Sequence, residues 1–161
     1  HGLAAISLIR DQVKGANVGV GTVCNASEFD AAVDAGASFV VSPGQSDALF
    51  ERAQVTNIPF LPGAVTATEV MAAKEAGFKV LKFFPASTSG GAAAIKAFAG
   101  PFADLQFVPT GGINLDNAGS YLSLSNVRAV GGSWLTPADA IQNGQWADIT
   151  QIAREASQLG A

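Results

Sequence analysis

The sequence is short of charge, of cysteine and of histidine, and each shortage removes a class of function. Only 14% of the 161 residues are charged, against about 25% in an average chain. With 48% hydrophobic residues, this is not a disordered chain, which needs high charge and low hydrophobicity, nor a solvated coiled coil. One cysteine excludes an internal disulfide framework and a Cys-built structural zinc site. One histidine excludes most histidine-based metal chemistry. Nine Lys and Arg against thirteen Asp and Glu give a net charge of −4, which lacks the basic field that nucleic-acid binding needs. No apolar run reaches the roughly 18 residues of a membrane span, and no basic-then-apolar signal peptide opens the chain. The expectation is one soluble cytoplasmic domain with neither nucleic acid nor membrane as partner.

What is present is a repeat. Strands are expected at Val18–Val20, Phe39–Ser42, Ile58–Leu61, Val80–Phe83, Gln106–Val108 and Val127–Val130. Helices are expected near Ser27–Ala35, Asp47–Thr56, Thr66–Ala76, Gly91–Ala99 and Asp116–Leu124, with two more near Pro137–Asn143 and Trp146–Leu159. Ser27 can cap the run that begins at Glu28. Thr66 with Glu69 reads as a capping box. Gly36 and Gly77 stand where a left-handed residue ends a helix. Strand starts fall 21, 19, 22, 26 and 21 residues apart, room for one strand plus one helix. Asp34-Ala35-Gly36-Ala37 is echoed by Lys74-Glu75-Ala76-Gly77-Phe78. This is a β/α order, and parallel strands buried on both faces explain runs such as Phe39-Val40-Val41.

Two architectures fit: an open doubly wound sheet and a (β/α) barrel. The sheet wants G-x-G-x-x-G after an early strand, and Gly19-Val20-Gly21 starts that pattern without its third glycine. Polar or glycine-rich residues instead follow nearly every strand: Gly21-Thr22, Ser42-Pro43-Gly44, Pro62-Gly63, Pro85-Ala86, Thr110-Gly111-Gly112 and Gly131-Gly132-Ser133. Barrels build their sites from such a ring of loops. The expected fold is therefore α/β of the TIM-barrel type, residues 1–161 forming a single partial domain. Six units are visible where a closed barrel has eight. Residues 1–14 read as a helix, with Leu3, Ile6, Ile9 and Val13 on one side and Arg10, Asp11 and Lys14 on the wet side. The N-terminal units are expected to be missing, with open edges at Val18–Val20 and Val127–Val130.

Lys82 is the sharpest chemical signal. In Val80-Leu81-Lys82-Phe83-Phe84-Pro85, alternation puts Val80, Lys82 and Phe84 on one face and Leu81 and Phe83 on the other. Desolvation there lowers the amine's pKa and frees it as a nucleophile toward a carbonyl. The bland alternative is a solvated lysine on an edge strand. The two glycine pairs after the last two strands stand where barrels often hold a phosphate. Glycines let backbone N–H groups approach the anion, and Ser133 can add a hydroxyl. The plain alternative for both is a tight turn.

Six motifs in order carry a resemblance: Val18-Gly19-Val20-Gly21-Thr22-Val23, Val41-Ser42-Pro43-Gly44, Ile58-Pro59-Phe60-Leu61-Pro62-Gly63, Lys82-Phe83-Phe84-Pro85-Ala86, Pro109-Thr110-Gly111-Gly112-Ile113 and Gly131-Gly132-Ser133-Trp134-Leu135. From end to end the chain resembles the 2-keto-3-deoxy-6-phosphogluconate / 4-hydroxy-2-oxoglutarate aldolase family. The resemblance implies a class I aldolase on a (β/α)₈ barrel, a cytoplasmic homotrimer that needs no cofactor or metal. Lys82 matches the Schiff-base lysine. Thr22 matches a residue holding the keto-acid carboxylate, Pro43 and Phe84 match pocket residues, and Thr110 matches a substrate-contacting threonine. Gly111, Gly112, Gly132 and Ser133 match the phosphate site. The substrate is then a small keto acid, cleaved to pyruvate and glyceraldehyde 3-phosphate, or to pyruvate and glyoxylate. The resemblance also implies a general acid/base glutamate and a carboxylate-binding arginine that would precede His1. Glu28, Glu51, Glu69, Glu75 and Asp116 read as helix residues and do not replace that glutamate.

Two other readings stay open. One is a truncated or rebuilt barrel that keeps a phosphate pocket and a reactive lysine without turnover. The other is a different phosphate barrel, of the thiamine-phosphate or ribulose-phosphate type, against which Lys82-Phe83-Phe84-Pro85 argues. The remaining polar residues get structural readings: His1 mobile at the terminus, Cys24 a buried thiol, Trp134 packing, Trp146 anchoring the last helix, and Lys79 and Lys96 facing solvent.

Overall fold

A computed structural model of the protein describes residues 2–159; His1 lies outside them. The chain divides into two compact units, one ending at Lys82 and one beginning at Phe83. The first runs α1 (Gly2–Gln12), β1 (Gly19–Val20), α2 (Ala26–Asp34), β2 (Phe39–Val41), α3 (Asp47–Thr56), β3 (Phe60–Leu61), α4 (Ala67–Glu75) and β4 (Val80–Phe83), whose last residue opens the second unit. The second continues with α5 (Gly91–Phe98), β5 (Gln106–Pro109), α6 (Leu115–Leu122), a 3₁₀ turn at Ser133–Leu135, α7 (Ala138–Gln142) and α8 (Trp146–Ser157). The class is α/β with parallel strands. Among the described residues, no helix is long and apolar enough to cross a membrane.

In the first unit β1, β2 and β3 lie side by side in parallel, with Gly19 opposite Phe39 and Val40 opposite both Val20 and Phe60. Ile6, Val23, Phe29, Ala32, Val40, Leu49 and Ala53 make the core. Phe29, Phe60 and Phe78 meet edge to face over it, with centroids 5.5 and 5.7 Å apart, a geometry that aromatic quadrupoles favour. The repeated helix endings are Schellman motifs. Gly36 at φ +85° and Gly77 at φ +95° take the left-handed position that only glycine adopts freely. The following N–H groups, Ala37 and Phe78, donate back to Ala32 O and Ala73 O at 3.1 and 3.0 Å. Each motif turns the chain from a helix into the next strand.

The second unit is built on an aromatic cluster. Phe83 and Phe107, both fully buried, meet at 6.3 Å, and Phe98 stacks on Phe107 at 5.6 Å. The buried Asn126 ties loop to helix: its Nδ2 donates to Ile95 O at 2.7 Å, and its carbonyl accepts Phe107 N–H at 2.8 Å.

Several expectations need correction. Val127–Val130 is not a strand but two parallel bridges, Phe107 with Val127 and Thr110 with Gly131. Pro109 has no N–H to donate, and the pairing offset rises there from 20 to 21 residues, so one extra residue breaks the ladder. Asn25, not Ser27, caps α2, its side chain accepting Glu28 N–H at 2.9 Å. In α1 only Ile6 is buried, while Leu3 and Ile9, and Val13 just beyond the helix, are exposed. Cys24 is exposed, because Val23 takes the inward position. Trp146 opens α8 on the surface and does not anchor it.

The capping box at the head of α4 is as expected. Thr66 Oγ1 accepts Glu69 N–H at 3.3 Å, and Glu69 Oε2 accepts the N–H groups of Thr66 and Val65 at 2.8 and 2.9 Å. Burial alone would raise the Glu69 pKa. The two backbone N–H groups and the Thr66 side chain outweigh it and hold the carboxyl below its ordinary 4.5. Replacing Thr66 by Ala is expected to cost about 1 kcal/mol in denaturant unfolding. The Glu69 contribution is complete above pH 4.5 and is lost as pH falls through the lower folded value. The stability gap between wild type and Glu69→Gln should close over that acid range.

Candidate active site

Each unit carries its own part of the expected site. In the first, Thr22 follows β1 with φ +64°, a left-handed conformation that is an outlier for a β-branched residue. The next residues hold it there. Val23 is buried and its N–H donates to Val41 O at 3.2 Å, and Cys24 N–H donates to Glu28 Oε2 at 2.7 Å. Thr22 also borders an apolar depression of about 460 Å³ between α1 and β1, walled by Leu3, Ile6 and Val20. Among the described residues, no lysine lines this hollow.

Pro43 and Lys82 are joined through Gly63. Gly63 N–H donates to Gly44 O at 2.8 Å, and Gly63 is bridged in parallel to Lys82. Lys82 N–H donates to Pro62 O at 2.8 Å, and Lys82 O accepts Ala64 N–H at 2.9 Å. The contact leaves no room for a side chain: a Cβ on Gly63 would lie 2.1 Å from Pro43 O and 2.7 Å from Gly44 N. Both neighbours are backbone. In the sequence Gly63 stands only as a member of a loop after a strand and of the Ile58-to-Gly63 motif. A glycine at the end of a buried strand is the signal of close backbone approach.

Alternation along β4 holds as expected: Leu81 and Phe83 are fully buried, and Lys82 between them is half-buried on the opposite face. Burial pushes its amine below the ordinary 10.5, the direction that frees a lone pair for a carbonyl. Lys79 and Lys96 are exposed, as expected.

In the second unit, Phe83 O accepts Thr110 N–H at 2.9 Å and Thr110 O accepts Ala86 N–H at 2.8 Å. This brings the loop after β4 against the loop after β5. The ring of Phe84, itself 38% exposed, comes so close to Gly111 that a Cβ there would lie 3.1 Å from it. Thr110 Oγ1 is buried with no hydrogen-bond partner. Gly111 and Gly112 have φ +94° and +73°. Among the described residues, the N–H groups of Gly111, Gly112 and Gly132 donate to nothing. Gly132 leads into the turn opened by the exposed Ser133. Trp134 packs as expected, so near Gly132 that a Cβ there would overlap its ring. Unpaired backbone donors in glycine loops make an anion cradle. Ser87, whose side chain lies over Gly112, carries no signal in the sequence.

These features define an α/β protein that sets a half-buried strand lysine at one loop cluster and a cradle of free backbone donors at another. The family model for KDPG and KHG aldolase matches residues 1–152. The 2-dehydro-3-deoxy-phosphogluconate aldolase of Pseudomonas aeruginosa is 46% identical over 97% of this chain and 71% of its own length. Among solved structures, the KDPG aldolase of Legionella pneumophila, with pyruvate captured as a covalent carbinolamine, is 40% identical. It superposes with a TM-score of 0.93 over 96% of this chain and 75% of its own. The 2-keto-3-deoxy-6-phosphogluconate aldolase of Zymomonas mobilis with 3-phosphoglycerate gives 41% and 0.90 over 98% and 73%. The chain belongs to the KDPG and KHG aldolase family. It is an aldolase, a lyase of carbon–carbon bonds.

Two outcomes follow from the lysine's setting. Gly63→Ala should lower stability by about 1–3 kcal/mol, the usual cost of overpacking, whereas Gly44→Ala, whose Cβ meets nothing within 4 Å, should stay within about 0.5 kcal/mol. Denaturant melts of the two variants check this. Lys82→Met removes a cation that burial disfavours and should raise the melting temperature at neutral pH. Because the folded pKa lies below the unfolded 10.5, the unfolded chain binds the extra proton between the two values. Wild-type stability therefore rises with pH across that interval, and the variant's advantage shrinks.

Proposed function

We propose that this aldolase cleaves 2-keto-3-deoxy-6-phosphogluconate to pyruvate and glyceraldehyde 3-phosphate, and 4-hydroxy-2-oxoglutarate to pyruvate and glyoxylate, through a Schiff base on Lys82. The carrying observation is the half-buried Lys82 with its lowered pKa between two buried apolar neighbours. The covalent carbinolamine in the Legionella relative supports the same chemistry. Lys82 Nζ adds to the C2 ketone, and the carbinolamine loses water to an iminium. The C3–C4 bond then breaks, its electron pair moves toward the iminium to leave an enamine, and a general base takes the C4 hydroxyl proton as the aldehyde departs. Protonation at C3 and hydrolysis release pyruvate and return the amine. The iminium is the electron sink, so the reaction calls for no cofactor.

Thr22 is assigned to the keto-acid carboxylate, Pro43 and Phe84 to the walls around the reacting carbons, and Thr110 to a substrate oxygen. Gly111, Gly112, Gly132 and Ser133 are assigned to the phosphate. The buried, unpartnered Thr110 Oγ1 and the unpaired glycine N–H groups support the last two assignments. The 3-phosphoglycerate in the Zymomonas relative fits a phosphate subsite. The same reading makes the β/α units part of a single TIM-type barrel domain and the protein a cytoplasmic homotrimer.

Borohydride reduction in the presence of pyruvate should trap Lys82 and no other lysine, read by peptide mapping. Labelling at Lys79 or Lys96 instead, or none, overturns the Schiff-base assignment.

A further inference from the structure

We propose that Ser87 is a further phosphate-binding residue, its hydroxyl joining the glycine N–H groups around the phosphomonoester of the substrate. The inference rests on the phosphate reading of Gly111, Gly112, Gly132 and Ser133 given above. Ser87 stands in the loop after β4, where its N–H donates to Gly111 O at 3.1 Å. That bond fixes its side chain over the next residue. A Cβ on Gly112 would lie 2.1 Å from Ser87 Oγ and 2.6 Å from Ser87 Cβ. The serine side chain thus occupies the space that a larger residue at 112 would need. Gly112 meets the hydroxyl from one side and offers its own unpaired N–H.

Ser87 is exposed, and among the described residues its hydroxyl makes no hydrogen bond. The adjacent Thr88 differs: its Oγ1 donates to Pro85 O at 3.4 Å and is spent within the loop. No lysine or arginine occurs in residues 84–91, 110–114 or 131–135. These three loops therefore offer a phosphate dianion only neutral donors, so each O–H among them counts. A hydrogen bond to a charged group outweighs a neutral one. A hydroxyl fixed over Gly112 favours a tetrahedral anion over the flat carboxylate of glyoxylate, and Ser87 then helps select the phosphorylated substrate.

Titration calorimetry with inorganic phosphate on the purified protein tests this. Ser87→Ala should weaken phosphate about 5- to 10-fold, and Ser87→Thr, which keeps the hydroxyl, should restore most of the loss. Thr88→Ala should leave the affinity as in wild type, because that hydroxyl is already engaged. In turnover, Ser87→Ala should raise KM for the phosphorylated substrate by a similar factor with little change in kcat. Wild-type affinity in Ser87→Ala, while Gly112→Ala weakens phosphate, would overturn the role of Ser87 and leave the cradle standing. Failure of phosphate to bind wild type, or indifference to Gly112→Ala, would overturn the cradle and the role of Ser87 together.

Discussion

The alternation of β4 is the constraint on which the chemistry depends. Leu81 and Phe83 are fully buried, and burying two such side chains is worth about 3–6 kcal/mol by area. With a side-chain period of two, that burial dictates where Lys82 goes. Slipping the strand by one residue would bury the ammonium and expose both apolar neighbours. The apolar residues therefore fix the direction of the amine, and the partial burial that results also lowers its pKa. Orientation and reactivity come from one packing choice. Leu81 and Phe83 pin the strand on either side of the lysine.

Glycine carries the second half of the design in two different ways. Gly63 is needed because the backbone of Pro43 and Gly44 fills the space a Cβ would take. Gly111 and Gly112 are needed because their φ values are positive and because Phe84 and Ser87 lie against them. In the first case the missing side chain brings two loops to the strand that bears the lysine. In the second it turns N–H groups outward with no partner. Unpaired N–H dipoles held still in this way are the arrangement that stabilises charge without solvent reorganisation, which is the basis of the proposed anion site.

The elements legible in the sequence were those with a local cause. Asp47–Thr56 and Val80–Phe83 match the structure to the residue, the second through its alternation. The Thr66–Glu69 box and the glycine helix endings are contained within a few residues and read correctly. What failed depended on a partner elsewhere or on a shift of one or two residues in phase. The sixth strand has β-branched residues enough, but its ladder is broken by Pro109 on the neighbouring strand. Cys24 was given the inward place that its neighbour Val23 occupies, an error of one residue in phase. In the candidate site, the residues assigned chemical roles stand out by type and by position after strands. Gly63 and Ser87 do not, since what distinguishes them is what lies across from them.

Thr22 shows how strain at such a site is contained. A β-branched residue at φ +64° costs of order 1–3 kcal/mol, and it persists only if the surroundings leave no alternative. Here the surroundings are the head of α2. Val23 is locked inward and tied to the end of β2. Cys24 N–H is taken by Glu28, and Glu28 N–H is taken by Asn25, so the backbone after Thr22 is fixed by two linked side-chain bonds at the helix start. A cap contributes about 1 kcal/mol and burying Val23 about 1.5 kcal/mol or more. Together these match the strain. The helix start therefore does more than begin a helix: it holds the preceding residue in a conformation that residue would not choose, and presents its side chain in the loop after β1.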